Sequence, residues 1–487
     1  MKKLQDILYG VSIESIIGST AILIKGIEFD SRKVEKETLF VAQKGVILDG
    51  YDFISDAIEQ GAVAIICEKI PEKCVMGIVY VVVTSASEAL GLIAANFYDN
   101  PSKNLKLIGL TGTNGKTTVA SLLFELFTAL GYHCGLISTI KISYQNSKWE
   151  NSHTTPDALT LNKHLSRMVN SGISHCFMEV SSHGISQHRT NGLCFSGGVF
   201  TNLTHDHLDY HGDFKSYRDT KKSFFDQLPK TAFALTNIDD KNGAFMLQNC
   251  NASNHTYALK QYADFKAQIL ECEFSGTLLK IQGQEVWTNL ACEFNVQNLL
   301  AVYAVANLLG ESSLEILKQI SNLKPIRGRF ETFKTEENVT IVIDYAHTPD
   351  ALESVLVAIN KIRTRNETLI TVLGCGGNRD REKRPAMGNK AAALSDKVIF
   401  TSDNPRDENP ASIISEIMEG VSPEDYKKVI KVTHREEAIE FAGGLVNQGD
   451  IVLIAGKGHE NYQEIEGRRI PFNDLEIAQK IFLNTNK

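Results

Sequence analysis

The sequence has no paired cysteines. Its nine cysteines stand singly between Cys67 and Cys375, their number is odd, and no C-x-x-C pair occurs. A disulfide framework uses an even set, and structural zinc sites use closely spaced pairs. The cysteine pattern therefore argues against both. It favours reduced thiols, which predicts a cytoplasmic protein.

An excess of positive charge is also missing, and so are long apolar runs. The chain has 50 Lys and Arg against 58 Asp and Glu, a net charge of −8. This balance gives no reason to expect nucleic acid or an anionic membrane as a partner. The apolar run at 77–83 is far too short to span a bilayer, and Gln5 and Asp6 interrupt any signal-peptide core. We expect no nucleic-acid partner and no membrane insertion.

The chain does contain a regular alternation of strand-like and helix-like segments. At roughly 150 residues per domain, 487 residues predict about three domains, and the alternation favours βαβ units in mostly parallel sheets. The polar stretch 98–106 is typical of a linker, and 332–343 of a turn that opens a third domain. We therefore predict an α/β protein with domains at 1–105, 106–332 and 333–487.

The stretch "LIGLTGTNGKTT" (107–118) is similar to a phosphate-binding loop. A strand pattern precedes it and a helix pattern follows, so backbone N–H groups and the helix N-terminus would face an anion. Lys116 would neutralise nucleotide phosphates, and the Thr117 hydroxyl could bind Mg²⁺. In the usual G-x-x-x-x-G-K-[ST] pattern a glycine would occupy position 110, but Leu110 stands there. The short spacing points to a particular subfamily, and a chance strand–turn–helix junction is the alternative.

A lysine lies inside an apolar stripe. Residues 213–228 predict an amphipathic helix whose stripe is formed by Phe214, Tyr217, Phe224, Phe225 and Leu228. Lys221 falls within it, whereas Lys222 is predicted to face solvent. A buried ammonium is costly, so Lys221 either extends to the surface or is a desolvated amine that reacts with carbon dioxide. The carbamate would be an anionic metal ligand.

Two further residues near predicted strand ends could join such a metal site. Glu179 ends one strand, and His207 follows another. Mg²⁺ takes oxygen ligands, often one or two carboxylates together with substrate phosphates. Glu179, His207 and a carbamylated Lys221 beside Thr117 could form this set. Isolated polar loop residues are the alternative.

Three strands of the last predicted domain end in polar loops, at 374–384, 401–410 and 455–462. In open α/β sheets, ligands bind beyond the carboxyl ends of the strands. Arginine suits bidentate recognition of a carboxylate, and Asp or Glu suits an ammonium. The loops therefore predict a site for an amino acid with a second carboxylate, the alternative being a set of solvated surface charges. The residues concerned are Arg379, Asp403, Asn404, Arg406 and Glu460.

Taken together, the motifs resemble those of the Mur ligases, ATP-dependent amide-forming enzymes of peptidoglycan synthesis. The resemblance covers nearly the whole chain and includes "FDSRKV", "TGTNGKTT", "TTPDA", "EVSSHG", "TNLTHDHLDYHG", "FNVQNLLA", "IRGRFE", "DYAHTPDAL", "GCGGNRD", "DNPR" and "GKGHENY". It implies an N-terminal UDP-substrate-binding α/β domain, a central P-loop-type ATPase domain with a parallel sheet, and a C-terminal Rossmann-like domain. "DNPR" is similar to the motif of members that add meso-2,6-diaminopimelate.

The resemblance also implies roles for individual residues. For ATP these are Gly112, Thr113, Asn114, Gly115, Lys116, Thr117, Thr118, Asn298, Arg329 and Asp344. For the UDP substrate they are Ser31, Thr154, Thr155, Ser181, Gln187 and Arg189. For diaminopimelate they are Arg379, Asp403, Asn404, Pro405, Arg406, Gly456 and Glu460. The implied metal ligands are Thr117, Glu179, His207 and carbamylated Lys221. Lys116 and Lys221 would be catalytic.

The implied reaction uses ATP and Mg²⁺ to join meso-2,6-diaminopimelate to UDP-N-acetylmuramoyl-L-alanyl-D-glutamate through an acyl phosphate, in a monomeric enzyme. Two alternatives stay open. One is a related ligase, such as a folylpolyglutamate synthetase or an L-lysine-adding homologue, against which "DSR" and "DNPR" respectively argue. The other is a nucleotide-dependent switch or scaffold without ligase chemistry.

Overall fold

The computed structural model describes residues 1–45, 48–145, 147–151 and 153–483. The chain forms two compact units. One contains residues 1–112, 123–201 and 215–256, and the other residues 113–122, 202–214 and 257–487. These two units, which are defined by packing, differ from the three sequence ranges predicted as domains. The boundaries of those three ranges remain a prediction.

The N-terminal hundred residues form an α/β layer. Its strands are β1 (Lys2–Lys3), β2 (Ile13–Ile17), β3 (Leu23–Ile24), β4 (Gly26–Glu28), β5 (Thr38–Val41), β6 (Ala62–Cys67) and β7 (Val79–Val83). Its helices are α1 (Leu4–Ile7), α2 (Ile54–Gln60) and α3 (Ala86–Phe97), with 3₁₀ turns at Ser31–Lys33, Gly50–Phe53 and Pro101–Asn104. The sheet order is β2-β7-β6-β5-β4, antiparallel only at β2. Alternate residues of β6 enter separate buried clusters on the two faces, as expected for a covered parallel sheet.

The stretch 98–106, predicted as a linker, joins α3 to the next strand through the 3₁₀ turn. Pro101 and Ser102 are buried within that turn. The Ser102 hydroxyl oxygen accepts a hydrogen bond from the backbone N–H of Cys194 at 2.9 Å. The donor lies ninety-two residues away in sequence, so the local pattern does not reveal this contact.

Residues 106–258 build a second sheet. Its strands are β8 (Lys106–Thr111), β9 (Cys134–Ile137), β10 (Ile142–Tyr144), β11 (Ser147–Trp149), β12 (His175–Glu179), β13 (Gly197–Phe200), β14 (Phe233–Asn237) and β15 (Ser253–Ala258). The helices are α4 (Lys116–Ala129), α5 (Ala158–Asn170), α6 (Ser182–Ser186), α7 (Leu208–His211), α8 (Phe214–Asp226) and α9 (Gly243–Leu247). The order is β11-β10-β9-β12-β8-β13-β14-β15, and three later strands continue the same sheet beyond β15. Strands β9, β12, β8, β13 and β14 are parallel, so β8 and β12 end at one edge.

Two glycines allow α8 to lie close to this sheet. A Cβ atom on Gly109 of β8 would stand 2.5 Å from Cζ of Phe224, and one on Gly198 of β13 would stand 2.8 Å from Cδ1 of Leu228. No larger residue fits at either position unless α8 moves outward. Lys221 lies one turn before Phe224 on α8. The close packing of α8 therefore sets how far Lys221 lies from the end of β8.

The burial of Lys221 within the apolar stripe is confirmed, since 1% of the residue is exposed. The prediction for Lys222 was wrong, because this residue is also buried, at 8% exposure. Its ammonium pairs with the Asp226 carboxylate one turn later. An i,i+4 partner on the same helix satisfies the charge locally.

The remaining residues form an antiparallel hairpin layer and a further α/β sheet. The strands are β16 (Phe265–Glu273), β17 (Gly276–Ile281), β18 (Gln284–Thr288), β19 (Glu331–Lys334), β20 (Thr340–Asp344), β21 (Leu369–Cys375), β22 (Lys397–Ser402), β23 (Val429–Lys431), β24 (Ile451–Ala455), β25 (Tyr462–Ile465) and β26 (Arg468–Pro471). The helices are α10 (Glu293–Leu308), α11 (Ser313–Ile320), α12 (Pro349–Ile362), α13 (Lys383–Leu394), α14 (Pro410–Met418), α15 (Arg435–Leu445) and α16 (Asp474–Leu483), with a 3₁₀ turn at Pro423–Lys428.

The last sheet has the order β19-β20-β24-β21-β22-β23 and is parallel except at β19. Apolar clusters cover both of its faces. The three strands predicted before the polar loops are confirmed as β21, β22 and β24. Because they are parallel neighbours, their loops leave the sheet at one edge.

All nine cysteines are free. Across the part of the chain that the structure describes, no helix has the length and apolar character needed to cross a bilayer.

Candidate active site

The loop between β8 and α4 has the backbone that a phosphate-binding turn requires. Gly112 and Gly115 have φ angles of 147° and 88°, in the left-handed region that favours glycine. The N–H groups of Thr113 and Asn114 donate to the backbone oxygen and to Oδ1 of Asn202, at 2.8 and 2.9 Å. The Lys116 ammonium donates to the Thr113 carbonyl at 2.8 Å. Asn202, which the sequence did not single out for a role, thus shapes the loop.

Lys221 reaches this loop from α8. Its Nζ donates to the Gly112 carbonyl oxygen at 3.0 Å and lies 4.7 Å from the centroid of the Tyr217 ring. The side chain therefore does not extend to the surface, and that alternative was wrong. The hydroxyl oxygens of Thr111 and Thr236 are buried and, among the described residues, have no hydrogen-bond partner. Unsatisfied buried oxygens at these strand ends fit a site that receives a polar ligand.

The carboxylate of Glu179 is buried and held in place by one residue. Its Oε1 accepts from the Thr139 N–H at 2.8 Å, and its Oε2 accepts from the Thr139 hydroxyl at 3.1 Å. The Thr139 and Thr154 hydroxyl oxygens are 3.0 Å apart. Sequence reasoning missed Thr139, because a single threonine after a short strand carries no motif.

The predicted metal ligands fit Mg²⁺ in donor chemistry on one condition. Glu179 and Thr117 offer hard oxygen atoms, which this ion prefers. Lys221 as an ammonium repels a cation, so it fits only as a carbamate. Over the described ranges, the structure has no cluster of three or more His, Cys, Asp or Glu arranged for a metal. The four predicted metal ligands could not form such a cluster, because only two of them, Glu179 and His207, belong to those residue types.

The residues predicted for the UDP substrate form one network, with a single exception. The Thr155 hydroxyl donates to the Glu179 carbonyl at 2.9 Å and accepts from the Ser181 N–H at 2.9 Å. Arg189 donates to the Thr155 carbonyl at 2.6 Å and to Gln187 Oε1 at 2.6 Å. The exception, Ser31, lies in the 3₁₀ turn Ser31–Lys33 of the N-terminal layer.

In the second unit, the predicted nucleotide residues gather around Arg329. Its Nη2 lies 3.4 Å from the Thr117 hydroxyl oxygen, and its guanidinium lies 4.4 Å from the centroid of the Tyr345 ring. Asp344 accepts from the N–H groups of Phe330 and Ala346, both at 2.7 Å. Burial raises the pKa of Asp344 to about 6, although Arg329 and these two N–H groups oppose the shift.

Two predicted residues stand apart from that cluster. Asn298 is buried in α10, at 7% exposure. His207 has a φ of 56°, and its Nε2 lies 3.4 Å from Oδ2 of Asp206. The left-handed backbone at a non-glycine residue is costly and is often found at functional positions.

The loops after β21, β22 and β24 bring the predicted amino-acid residues together. A Cβ atom on Gly456 would stand 2.6 Å from Oδ2 of Asp403, so only glycine leaves room for this carboxylate. Asn404 Nδ2 donates to Glu460 Oε2 at 2.8 Å. Pro405 is buried between Asn404 and Arg406. These contacts join two loops that are distant in sequence.

The loop after β21 carries Arg379 and is contacted by Arg406. A Cβ atom on Gly376 would stand 3.1 Å from Nη1 of Arg406 and 3.8 Å from Cγ of Arg379. Arg379 is exposed. Arg406 donates from Nε to Glu464 Oε2 at 3.2 Å and from Nη1 to the Gly377 carbonyl at 2.7 Å. In the described parts of the chain its Nη2 has no hydrogen-bond partner, so it can receive a ligand oxygen.

A buried ion pair fixes these loops to one another. Arg384, with no exposed surface, donates from both terminal nitrogens to Glu408 at 2.9 Å and from one to Glu416 at 2.7 Å. These hydrogen bonds lower the pKa of Glu408 to about 2. Glu408 also accepts from the Asn378 N–H. Sequence reasoning missed this support, because charged residues in loops are more often solvated.

Comparisons with known proteins agree with this geometry. Three family models match the chain: the Mur ligase family catalytic domain at 23–98, the Mur ligase middle domain at 110–306 and the Mur ligase glutamate ligase domain at 328–458.

Two full-length relatives share the description UDP-N-acetylmuramoyl-L-alanyl-D-glutamate--2,6-diaminopimelate ligase. That of Cytophaga hutchinsonii is 49% identical over 480 residues, covering 98% of this chain and 99% of its own. One from Clostridium acetobutylicum, described as ligase 1, is 40% identical and covers 98% of each chain.

Solved structures show the same fold. A structure of a UDP-N-acetylmuramoyl-L-alanyl-D-glutamate--2,6-diaminopimelate ligase has a TM-score of 0.70 at 31% identity, covering 99% of this chain and 98% of that one. The MurF ligase of Thermotoga maritima in complex with ADP has a TM-score of 0.64 at 20% identity, covering 94% and 97% of the two chains, and shows the fold alone. The predicted three-domain α/β architecture is confirmed, and the chain belongs to the Mur ligase family.

Proposed function

We propose that this ligase uses ATP to join meso-2,6-diaminopimelate to the D-glutamate γ-carboxylate of UDP-N-acetylmuramoyl-L-alanyl-D-glutamate. The observation that carries the proposal is the placement of Arg406 against the loop that carries Arg379, since a Cβ atom on Gly376 of that loop would stand 3.1 Å from Nη1 of Arg406. The carboxylates of Asp403 and Glu460 belong to the neighbouring loops of the same sheet edge. Together they suit a ligand with an ammonium and more than one carboxylate. The relatives' names agree with it.

The proposed chemistry has two steps. An oxygen of the D-glutamate γ-carboxylate attacks the γ-phosphorus of ATP, the bond to the β–γ bridging oxygen breaks, and an acyl phosphate and ADP result. The neutral amine of diaminopimelate then attacks the acyl carbon, and the tetrahedral intermediate expels inorganic phosphate and a proton. Lys116 and the N-terminus of α4 stabilise charge on the transferring group. Closure that excludes water would protect the acyl phosphate.

Mg²⁺ would be held by Thr117, Glu179, His207 and a carbamylated Lys221, and when bound it neutralises charge on the phosphates. Glu179 is ready for this role because Thr139 fixes both of its oxygens. The neighbouring Thr155, Ser181, Gln187 and Arg189 would position the muramoyl-dipeptide part of the UDP substrate. Arg329, Asp344 and Asn298 would hold the rest of the nucleotide, and Ser31 the UDP end.

Selectivity for diaminopimelate over L-lysine should depend on Arg406. The two amino acids differ by a carboxylate on the distal carbon, and Nη2 of Arg406 is available for that group. We expect Arg406→Ala to reduce the ratio of kcat/KM for diaminopimelate to that for lysine by about 10- to 100-fold, the value of one or two hydrogen bonds to a charged group. Arg381→Ala is the matched control, because this exposed arginine in the loop after β21 pairs with Glu408 and Glu416. An unchanged ratio in Arg406→Ala would remove Arg406 from the role.

The experiment that tests the function is ADP release by purified protein with ATP, Mg²⁺ and UDP-N-acetylmuramoyl-L-alanyl-D-glutamate. The added amino acid is none, L-lysine or meso-diaminopimelate, and the ligated product is identified by mass spectrometry. We expect turnover with diaminopimelate alone. Turnover with lysine instead would keep the ligase and overturn the specificity. Product with neither would contradict the proposal and favour a related ligase or a scaffold.

A further inference from the structure

A buried lysine, Lys457, lies between side chains that are predicted to bind the amino acid. None of the predicted roles includes this lysine. Lys457, in the loop after β24, has no exposed surface. Its Nζ donates to Asn404 Oδ1 at 2.9 Å and to Glu460 Oε2 at 3.2 Å, and it lies 5.8 Å from the centroid of the Tyr462 ring. A lysine is almost never fully buried unless it is paired. Its position therefore requires these partners.

Lys457 closes a triangle of hydrogen bonds. Asn404 Nδ2 donates to the same Glu460 oxygen that Lys457 contacts, at 2.8 Å. Asn404 Oδ1 accepts from both Lys457 and the Glu464 N–H, the latter at 3.0 Å. Both donors require the amide oxygen on that side, so the orientation of Asn404 is determined. Without Lys457, Asn404 and Glu460 would each lose a charge-assisted partner in a buried place.

The charge of the cluster follows from the same contacts. Asp403 and Glu460 contribute two negative charges, and Lys457 contributes one positive charge. Burial raises the pKa of Glu460, Asp403 raises it further, and Lys457 together with the Asn404 amide opposes the shift. Other titratable or charged groups among the described residues that interact with Glu460 include Arg435, Tyr345 and Tyr462.

We propose that Lys457 is a positioning residue for the amino-acid substrate, holding Asn404 and Glu460 in place and offsetting one of the two negative charges of Asp403 and Glu460. The remaining negative charge of this carboxylate pair matches one ammonium group of the incoming amino acid. The inference rests on the proposed function, since it assumes that Asp403 and Glu460 receive an amino acid. Lys457 does not take part in bond making, so its effect should be on substrate binding and on the dependence of binding on pH.

The test compares Lys457→Met and Lys457→Arg with the wild type, and Lys390→Met is the control, because Lys390 is a half-buried lysine paired with Glu353. We expect Lys457→Met to raise KM for diaminopimelate by about 10- to 100-fold, the loss of a charged hydrogen bond. KM for ATP and for the UDP substrate should stay within about 2-fold, because Lys457 bonds to Asn404 and Glu460, both assigned to the amino acid. Lys457→Arg, which keeps the charge, should recover part of the loss.

The pH dependence of kcat/KM for diaminopimelate distinguishes the effect of the charge at position 457 from the effect of the side chain's shape. Removing the ammonium raises the pKa of Glu460 further, so a higher pH is needed to ionise it. The acid limb of kcat/KM for diaminopimelate should therefore move to higher pH in Lys457→Met, whereas Lys457→Arg should keep the wild-type limb. An unmoved limb, or an equal rise in all three KM values, would overturn the inference.

Two further comparisons keep the outcome decisive. If Lys457→Met does not fold, Lys457→Gln takes its place, since it keeps a hydrogen-bond donor and loses only the charge, and the same shift of the acid limb is expected. The wild type is assayed first. If the wild type makes no product with diaminopimelate, the proposed function fails. If it does and the variants keep the wild-type KM and acid limb, only the role of Lys457 fails.

Discussion

Replacement of Lys221 by alanine is expected to lower kcat by about 10²- to 10³-fold, the usual cost of removing one electrostatic contributor to a phosphoryl-transfer site. The structure places this amine 3.0 Å from the Gly112 carbonyl, at the start of the phosphate loop, with 1% of the residue exposed. As a carbamate it would supply an anionic oxygen there. The measurement is ADP release under saturating substrates, together with thermal unfolding to show that the variant is folded.

A carbamate on Lys221 leads to a second, more specific prediction. Small carboxylic acids should partly restore turnover to Lys221→Ala, because they can supply the missing oxygen ligand. The wild type, given labelled carbon dioxide, should show a carbamate signal by NMR that Lys221→Ala lacks. Lys222→Met is the matched control, since this neighbouring buried lysine pairs with Asp226 on its own helix. Turnover like that of the wild type in Lys221→Ala, or no labelled carbamate, would count against the modification.

The second large effect concerns stability. Arg435→Met should destabilise the unit that contains it by about 3–5 kcal/mol, because removal of one partner leaves a buried charge unpaired. Arg435 and Asp474 have no exposed side-chain surface and form a two-pronged pair at 2.8 and 2.7 Å. Arg435 also donates to the Ala455 carbonyl at 2.9 Å. The loop that contains Gly456 and Lys457 begins directly after this point.

Thermal unfolding checks this expectation, and the unit's transition should fall by roughly 10 °C. Lys480→Met is the control, because Lys480 and Glu436 form an exposed pair at 3.7 Å between the same two helices, α15 and α16. An exposed pair is worth about 0–1 kcal/mol, so little change is expected. Arg435→Met combined with Asp474→Leu should recover part of the loss. A single variant as stable as the control would show that the buried pair is dispensable.

Much of the central architecture could be predicted from local patterns. The alternation of apolar strands and amphipathic helices, the strand–glycine–helix order around Gly112 and the three strands before the polar loops all depend on residues near one another in sequence. The apolar stripe of α8 likewise contained Lys221, although the sequence left open whether its amine reaches the surface. These predictions hold because backbone preference and side-chain periodicity are local properties.

Lys222 was expected to face solvent, but it is buried and pairs with Asp226 on the same helix. Thr139, Lys457 and Arg384 were missed because each acts on a functional residue through a contact that the order of the chain does not show. A motif marks the residues that face a ligand more readily than the residues that hold them.

The sequence by itself determined the α/β class, the phosphate loop and the three polar loops. Glycine conformation, strand periodicity and charge type depend on residues that are neighbours in the chain. Only the tertiary structure decided that the Lys221 amine meets Gly112, that Thr139 fixes Glu179 and that Lys457 lies between Asn404 and Glu460. These contacts arise where parallel strands end at a common edge, and the packing of the sheet brings together side chains that are far apart along the chain.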